Sequence, residues 1–449
     1  MPLIAERDPA HCDPVGSSFG SCPMCGAVTG SLSTPDRLRV SLMIQPTRLA
    51  VAALLLVSSW TPLQGRESSS PDATTSQEAL IMVHYMPWYE ARSQSEFWGW
   101  HWTMNHFDPS ISVRGRRSIA SHFYPLIGAY DSGDRNVLRY HFSLMKLSGI
   151  DGIIIDWYGL EDFRDYKLLH RNTGLAIELA GEYGLQVAIC YEDQTVPILV
   201  EAKRLQPQTR VSHVVQELRW LNDQWFQREN YLKLDNLPVL LSFGQTGLSS
   251  TEWGRVIQEL KTDVLYLSQH HRRPVAVGAF DWPIPSEGVR RQAAFNRESS
   301  RWKYAIPVAF PRFRDIYSQA QLHESYGDIP DRNGKTFQET LDAASGVSSE
   351  LIQIATWNDW GEGTQIEPSL EYGYRDLKIL QAHRNRRISK GPKYKEDALM
   401  LPLKLFNLRT ASEPPPAATL MAIEKNMFEG EFETARRRLE SLQAERPKN

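Results

Sequence analysis

The chain has 449 residues, 50 of them basic and 53 acidic, for a formal net charge of −3. That balance excludes a general nucleic-acid binder, which concentrates basic side chains on its binding face, and 41% hydrophobic with 23% charged residues excludes a disordered chain. With 13 Trp, 17 Tyr and 16 Phe the chain is rich in flat apolar faces, and its length accommodates a barrel-sized domain with attachments.

In chain order, the first feature is the apolar run 49–60, LAVAALLLVSSW, preceded by Arg48 and followed by small polar residues from Thr61. It falls short of the roughly 20 residues that span a bilayer and has the layout of a secretory signal. Met43 stands just ahead of it. The reading therefore expects residues 1–42 to be upstream sequence outside the true product. It expects 43–65 to be a signal peptide or retained anchor, and 66–78, RESSSPDATTSQE, a flexible linker. The expected compartment is periplasmic or extracellular, with no membrane contact beyond such an anchor. Cys12, Cys22 and Cys25 lie in this leader, and no second ligand pair follows to complete a zinc site. Cys190 falls in an apolar stretch and reads as a small core residue.

Beyond the linker, eight short apolar runs recur at 79–85, 151–156, 186–191, 238–243, 264–269, 275–280, 304–310 and 351–356. Near-continuous Val/Ile-rich runs suit strands buried on both faces, as in a parallel sheet. Helical periodicity separates most of them, over 136–148, 172–183, 211–228, 251–261 and 335–346. In the first of these, Val137, Tyr140, Leu144 and Leu147 share a face and Gly149 supplies the stop. Strand alternating with helix predicts an α/β protein, a (β/α)8 TIM barrel over 79–388. Only HHRRP joins the fifth and sixth runs, too short for a helix, so the barrel is irregular there. Two long connections, 86–135 and 281–303, read as loops rich in aromatics. The segment 389–449 reads as an appendage with a Pro-rich linker at 412–418. A helical hairpin follows over 420–443, turning at Gly430, which must dock on the barrel or a partner to cover its apolar face. The basic runs 383–390 and 436–438 read as solvated helix faces.

In a barrel of this kind function sits at the carboxyl ends of the strands. Those ends carry Asp156, Glu192, Asp193, Asp281, Asp359 and Glu362, with Trp88, Trp157, Trp282, Trp357 and Trp360 beside them. Acidic pairs framed by aromatic faces suit sugar chemistry. Pyranose rings stack on Trp and Tyr, and glycosidic cleavage needs two carboxylates in different protonation states. His84, His101, His106, His270 and His271 are present, but no HExxH spacing is, and no metal cofactor is expected.

HYMPWY at 84–89, PLIGAYDSGDRNVLRYHFSLMKLSGIDGIIIDWYG at 125–159 and WNDWGEGTQIEP at 357–368 together resemble glycoside hydrolase family 99 and its family 71/99-like relatives, the endo-α-mannosidases and endo-α-mannanases. The resemblance runs from about residue 80 to 385. It implies a (β/α)8 barrel, a retaining hydrolase of α-linked glycans without a metal or other cofactor, and an oligosaccharide or polysaccharide as partner. In the family's proposed mechanism one carboxylate deprotonates the sugar 2-hydroxyl, which attacks the anomeric carbon to give a 1,2-anhydro sugar. A second carboxylate protonates the leaving oxygen and later activates water. The family motif is Asn-Glu-Trp-x-Glu-Gly-Thr, so the resemblance implies Glu362 as the acid/base and Asn358 and Trp360 as motif residues. Asp359 stands where the family has its first Glu, the base, and is one methylene shorter. Tyr85, Trp88, Tyr89, Trp157, Tyr158 and Trp282 are expected to contact substrate as aromatic platforms. Asp156, Glu192, Asp193, Asn358 and Trp360 are expected substrate contacts as well. A glycosidase for another α-glycan and a glycan-binding relative without catalysis both remain open. The sequence gives no oligomeric state.

Overall fold

The structure, a computed structural model, describes residues 78–389 and 392–445. The leader expected over 1–65 and nearly all of the linker lie outside these residues. All eight apolar runs form strands: β1 (Leu80–Tyr85), β2 (Gly152–Trp157), β3 (Gln186–Glu192), β4 (Leu237–Phe243), β5 (Leu265–Gln269), β6 (Gly278–Phe280), β7 (Tyr304–Ile306) with β8 (Val308–Ala309), and β9 (Leu351–Ile354). The seventh run is split in two by Pro307, which cannot donate to a ladder. β7 continues the sheet from β6, and β8 pairs with β9, so the chain itself bridges the last gap. Every neighbouring pair on this path is parallel, with Met82 opposite Gly152, Ile154 opposite Ala188, Cys190 opposite Leu241 and Leu80 opposite Leu351. The result is a nearly closed barrel of parallel strands.

Successive strand residues point to opposite faces, and the two faces bury different things. Ile81, Val83, Ile153, Ile155, Val187 and Ile189 face outward and pack with helix residues such as Leu138, Phe142, Ile177 and Leu218. Met82, Ile154, Ala188, Leu241, Leu267 and Val308 face inward and pack on one another. Each fully buried aliphatic side chain contributes about 1.5–3 kcal/mol, so this double burial accounts for the near-continuous apolar runs.

The helices are α1 (Trp100–Thr103), α2 (Arg135–Ser148), α3 (Tyr166–Glu182), α4 (Thr195–Glu201), α5 (Arg210–Gln224), α6 (Ser250–Leu260), α7 (Val289–Ser299), α8 (Lys335–Ser345), α9 (Arg375–Arg387), α10 (Leu401–Arg409), α11 (Ala417–Phe428) and α12 (Phe432–Ala444). α2 begins at Asp134, whose side chain accepts from the Asn136 N–H, and stops at Gly149 in the left-handed region. No helix intervenes between β5 and β6, as the short HHRRP connection required.

Two expectations are corrected. The connection 281–303 is not all loop: it contains α7, whose sequence VRRQAAFNRES is so polar that only Gln292, Phe295 and Ser299 are buried. The basic run at 383–390 is not a solvated face throughout. Arg384 is buried, its Nε donating to the Gly149 carbonyl at 2.8 Å and its Nη2 paired with Asp151. His383 is buried against Ser345 and Asp342.

The C-terminal hairpin turns at Gly430, with φ +80°, and docks on the barrel. Leu420, Ile423, Met427, Ala435 and Leu439 join the outer core. Glu424 accepts from Tyr183 at 2.6 Å and Ser143 at 3.1 Å and pairs with Arg409 at 2.8 Å. Among the described residues no helix is long and apolar enough to cross a membrane.

Candidate active site

Strand alternation decides which residues reach the barrel mouth. At the carboxyl ends, His84 (β1), Asp156 (β2) and Cys190 (β3) turn inward, and their polar atoms all lie within 4.8 Å of one another. Glu192 follows Cys190 at the next inward position of β3, and the charge on Asp156 acts on it. Tyr85 and Trp157 occupy the alternate positions and belong to the outer core. The Tyr85 hydroxyl lies 3.1 Å from Nδ1 of His141, and Trp157 packs on Trp220 and Trp225 while its Nε1–H meets His170 at 3.2 Å. Neither ring has a face toward the carboxylates.

The loop after β9 brings the other two carboxylates. Trp357 N–H donates to the His84 carbonyl at 2.7 Å, and Asp359 N–H to Thr356 Oγ1 at 2.8 Å. Asn358 is spent on bracing: its Oδ1 accepts from Met86 N–H at 2.8 Å and its Nδ2 donates to the Met86 carbonyl at 2.9 Å. The Tyr89 hydroxyl donates to the Asn358 carbonyl at 3.0 Å and accepts from Trp360 N–H at 2.9 Å. Trp360 is itself buried, its Nε1–H shared between Tyr130 and Glu367. From the far side Arg314 N–H donates to the Glu362 carbonyl at 2.8 Å and Ile316 N–H to the Gly361 carbonyl at 2.9 Å. Gly363 has φ +67°, and a Cβ there would lie 2.7 Å from the Arg314 carbonyl oxygen, so only glycine permits this approach. The bracing sets Glu362 N–H 3.1 Å from Asp359 Oδ1 and Glu362 Oε1 3.1 Å from the Tyr317 hydroxyl that donates to it.

Electrostatics separates these carboxylates. Among the described residues no ion pair reaches Asp156, Glu192, Asp359 or Glu362, and all four are buried. Burial raises Asp359 to about 7, while the backbone N–H groups of Glu362 and Gly361 favour its charged form. Burial raises Glu362 well above the usual carboxylate range, and the charge on Asp359 raises it further. Asp156 is pushed up by burial and then by Asp359, and Glu192 by burial and then by Asp156 and Asp193. Near neutral pH, then, Asp359 is poised to ionise while Glu362 keeps its proton, the division of labour that acid–base chemistry on one bond requires.

The aromatic frame is partly the expected one. Trp88 stacks on His101, with centroids 4.3 Å apart and planes 10° apart, and lies 6.2 Å from Tyr158. The charges of Asp156 and Glu192 add to burial in raising the Tyr158 hydroxyl. Gly159 follows with φ +98°, where a Cβ would lie 2.3 Å from Glu217 Oε1. Trp282 stands edge-on to His84 at 4.7 Å and to Phe243 at 5.0 Å. Among the described residues the indole N–H groups of Trp88 and Trp282 and Oδ1 of Asp156 are buried without a hydrogen-bond partner. Asp193 turns away from this group, its Oδ2 accepting from Trp253 on α6 at 2.7 Å, and burial raises it to about 7. The structure thus gathers Asp156, Glu192, Asp359, Glu362, Trp88, Tyr158 and Trp282. Tyr89, Asn358 and Trp360 lie beneath them as bracing. Sequence reasoning missed Tyr317 and Tyr326, both sensitive to the charge on Glu362. They lie in the 311–334 segment, which carries no periodicity or motif that would mark them.

Known proteins resemble this chain in sequence and in fold. Residues 76–197 match the sequence profile of Glycosyl hydrolase family 99. A glycoprotein endo-alpha-1,2-mannosidase-like protein of Mus musculus is 23% identical over 335 residues, covering 65% of this chain and 69% of the relative. The glycoprotein endo-alpha-1,2-mannosidase of the same species is 22% identical over 332 residues, covering 65% and 68%. The GH99 endo-alpha-mannosidase of Bacteroides thetaiotaomicron, solved with BIS-TRIS-propane, superposes with a TM-score of 0.51 at 19% identity. The superposition covers 68% of this chain and 98% of that one.

Proposed function

We propose that this chain, a family-99-like glycoside hydrolase, cleaves α-linked, mannose-containing glycans within the chain, with retention of anomeric configuration. Asp359 takes the proton of a sugar 2-hydroxyl. The oxygen attacks the anomeric carbon as the bond to the leaving oxygen breaks, and Glu362 delivers its proton to that oxygen. Glu362, now ionised, takes a proton from water, whose oxygen opens the 1,2-anhydro sugar, and Asp359 returns its proton to O2. Tyr317 holds Glu362 Oε1 throughout. Trp88, Tyr158 and Trp282 supply ring faces, and Asp156 and Glu192 accept from sugar hydroxyls. The α-mannoside preference rests on similarity to the endo-alpha-mannosidases named above.

The observation that carries this reading is the split between two adjacent buried carboxylates, one raised only to about 7 and the other raised well above its usual range. The test is product release by the full chain from a panel of α-mannans and α-glucans, with the first-formed anomer read by NMR. Release of an α-anomer is expected, reduced about 10²–10⁴-fold in Glu362→Gln, the range that positioned acid–base catalysis contributes. A β-anomer overturns the mechanism, and binding without release overturns the enzyme reading in favour of glycan capture. We further propose that residues 43–65 direct export and that the mature protein begins near residue 66. N-terminal sequencing of the protein outside the cytoplasm checks this.

A further inference from the structure

His84, Asp156 and Cys190 offer a nitrogen, a carboxylate oxygen and a sulfur, all mutually within 4.8 Å and all buried. They come from three neighbouring strands, so no sequence spacing announces them. Among the described residues, both His84 nitrogens and Asp156 Oδ1 lack a hydrogen-bond partner. A buried polar atom left so costs on the order of 1–3 kcal/mol, and two neighbouring side chains here carry such atoms.

We propose that these three side chains form a binding site for a single borderline-soft divalent cation of the zinc type. Three protein ligands is the number that exchangeable zinc sites supply. A set of imidazole, thiolate and carboxylate excludes magnesium and calcium, which take oxygen shells. Bonds of about 2.0–2.3 Å require these side chains to close in by only about 1 Å. A second-shell group is in place. Gln353 stands beside His84, and its Oε1, like both His84 nitrogens, is buried without a hydrogen-bond partner among the described residues, its Nε2 being given to the Asp281 carbonyl. Donating one ring N–H to Gln353 leaves the other nitrogen's lone pair for the ion, the usual support of a metal-bound histidine. Among the described residues the surrounding carboxylates Glu192, Asp359 and Glu362 have no ion-pair partner, so a divalent ion meets a charge deficit here. On the glycosidase reading above, an ion at this place stands where the glycan goes and acts as an inhibitor, not a cofactor.

The test is spectroscopic and independent of hydrolysis. The full chain, freed of metal with a chelator, is titrated with Co²⁺ and compared with Cys190→Ala. Cys12, Cys22 and Cys25 are common to both proteins and cancel in the difference. The expected result is a thiolate-to-cobalt charge-transfer band that saturates at one equivalent, is bleached by Zn²⁺ and is absent from Cys190→Ala. His84→Ala should weaken cobalt binding by more than the roughly 10–100-fold lost with an outer-shell partner. If Cys190→Ala fails to fold, Asp156→Asn, which keeps its volume, should show the same weakening. A difference spectrum with no cobalt–thiolate band, or affinities that His84→Ala and Asp156→Asn leave unchanged, overturns the site. Hydrolysis can fail while the band appears, and the reverse, so the two proposals stand or fall separately.

Discussion

Two groups of buried charge touch the loop 355–368, and they are built in opposite ways. In one, Arg312 and Arg375 face Asp331 and Asp376. Arg312 Nη2 pairs with Asp376, its Nε lies 3.3 Å from Asp331, and Arg375 Nη1 donates to Asp331 at 2.9 Å. Arg312 also lies over the Tyr372 ring at 4.0 Å and donates to the Gln365 carbonyl at 2.7 Å. Two guanidinium groups answer two carboxylates, and the result is a clamp on the end of the loop. In the other, Asp156, Glu192, Asp359 and Glu362 are buried with no answering cation among the described residues, and burial raises each of them. Paired burial holds a shape; unpaired burial stores protons that chemistry can use. Both groups contain buried acids, so acid content alone does not find the site. The missing cations do.

The comparison is broken most forcefully at Arg312. Arg312→Met keeps an apolar stem but leaves Asp376 buried with only Arg375 beside it. Loss of one partner of a buried pair costs roughly 3–5 kcal/mol, and a fall of that size in denaturant-unfolding free energy is expected. Hydrolysis by the molecules that remain folded should fall less, because Arg314 still holds the Glu362 carbonyl and Ile316 that of Gly361. Unchanged stability would show that the clamp is ornamental and would remove half of the contrast.

A sharper probe lies within the unpaired group. Asp359→Glu restores the residue that the family motif carries. Here the Asp359 carboxylate is fitted to its short stem, with Oδ1 accepting the Glu362 N–H at 3.1 Å. One more methylene displaces the oxygens by on the order of 1 Å, which costs roughly 10²-fold in rate. kcat on a released-product assay should fall by about that factor with KM little altered. A rise in kcat would instead mean that Asp359 is a crippled base awaiting its lost methylene.

Much of this was legible in the sequence, for a definite reason. The barrel strands are buried on both faces, so each was an unbroken apolar run. The same property hid which face was which. Asp156 and Trp157 are consecutive on one strand and cannot both reach the pocket, yet as letters both are plausible sugar contacts. Tyr85 beside His84 is the same case. α7 escaped notice because a helix with three buried residues has almost no apolar stripe. Arg384 looked solvated because its partners, Asp151 and the Gly149 carbonyl, are more than 230 positions away. Carboxylates carry no mark of whether a cation answers them, so the distinction between Asp376 and Asp359 needed the folded chain.

The smallest expected effect tests the unpaired group by stability. Asp156 is held above the usual range by burial and by the charge on Asp359. Its ionised form is therefore disfavoured in the folded chain relative to the unfolded one, where it titrates near about 3.9. Below that pH the folded and unfolded chains both hold the proton and nothing is lost. As pH rises toward the folded-state value, the unfolded chain releases its proton first, and stability falls. Asp156→Asn has nothing to release and keeps nearly the same volume. It should unfold at a higher temperature than the parent, with a gap of a few degrees that opens above about pH 4 and widens toward neutrality. The scan is run in chelator so that no ion contributes. A variant that is less stable at every pH would mean that Asp156 already has a compensating partner in the folded chain. The four acids would then not be the unanswered group that sets them apart from Asp331 and Asp376.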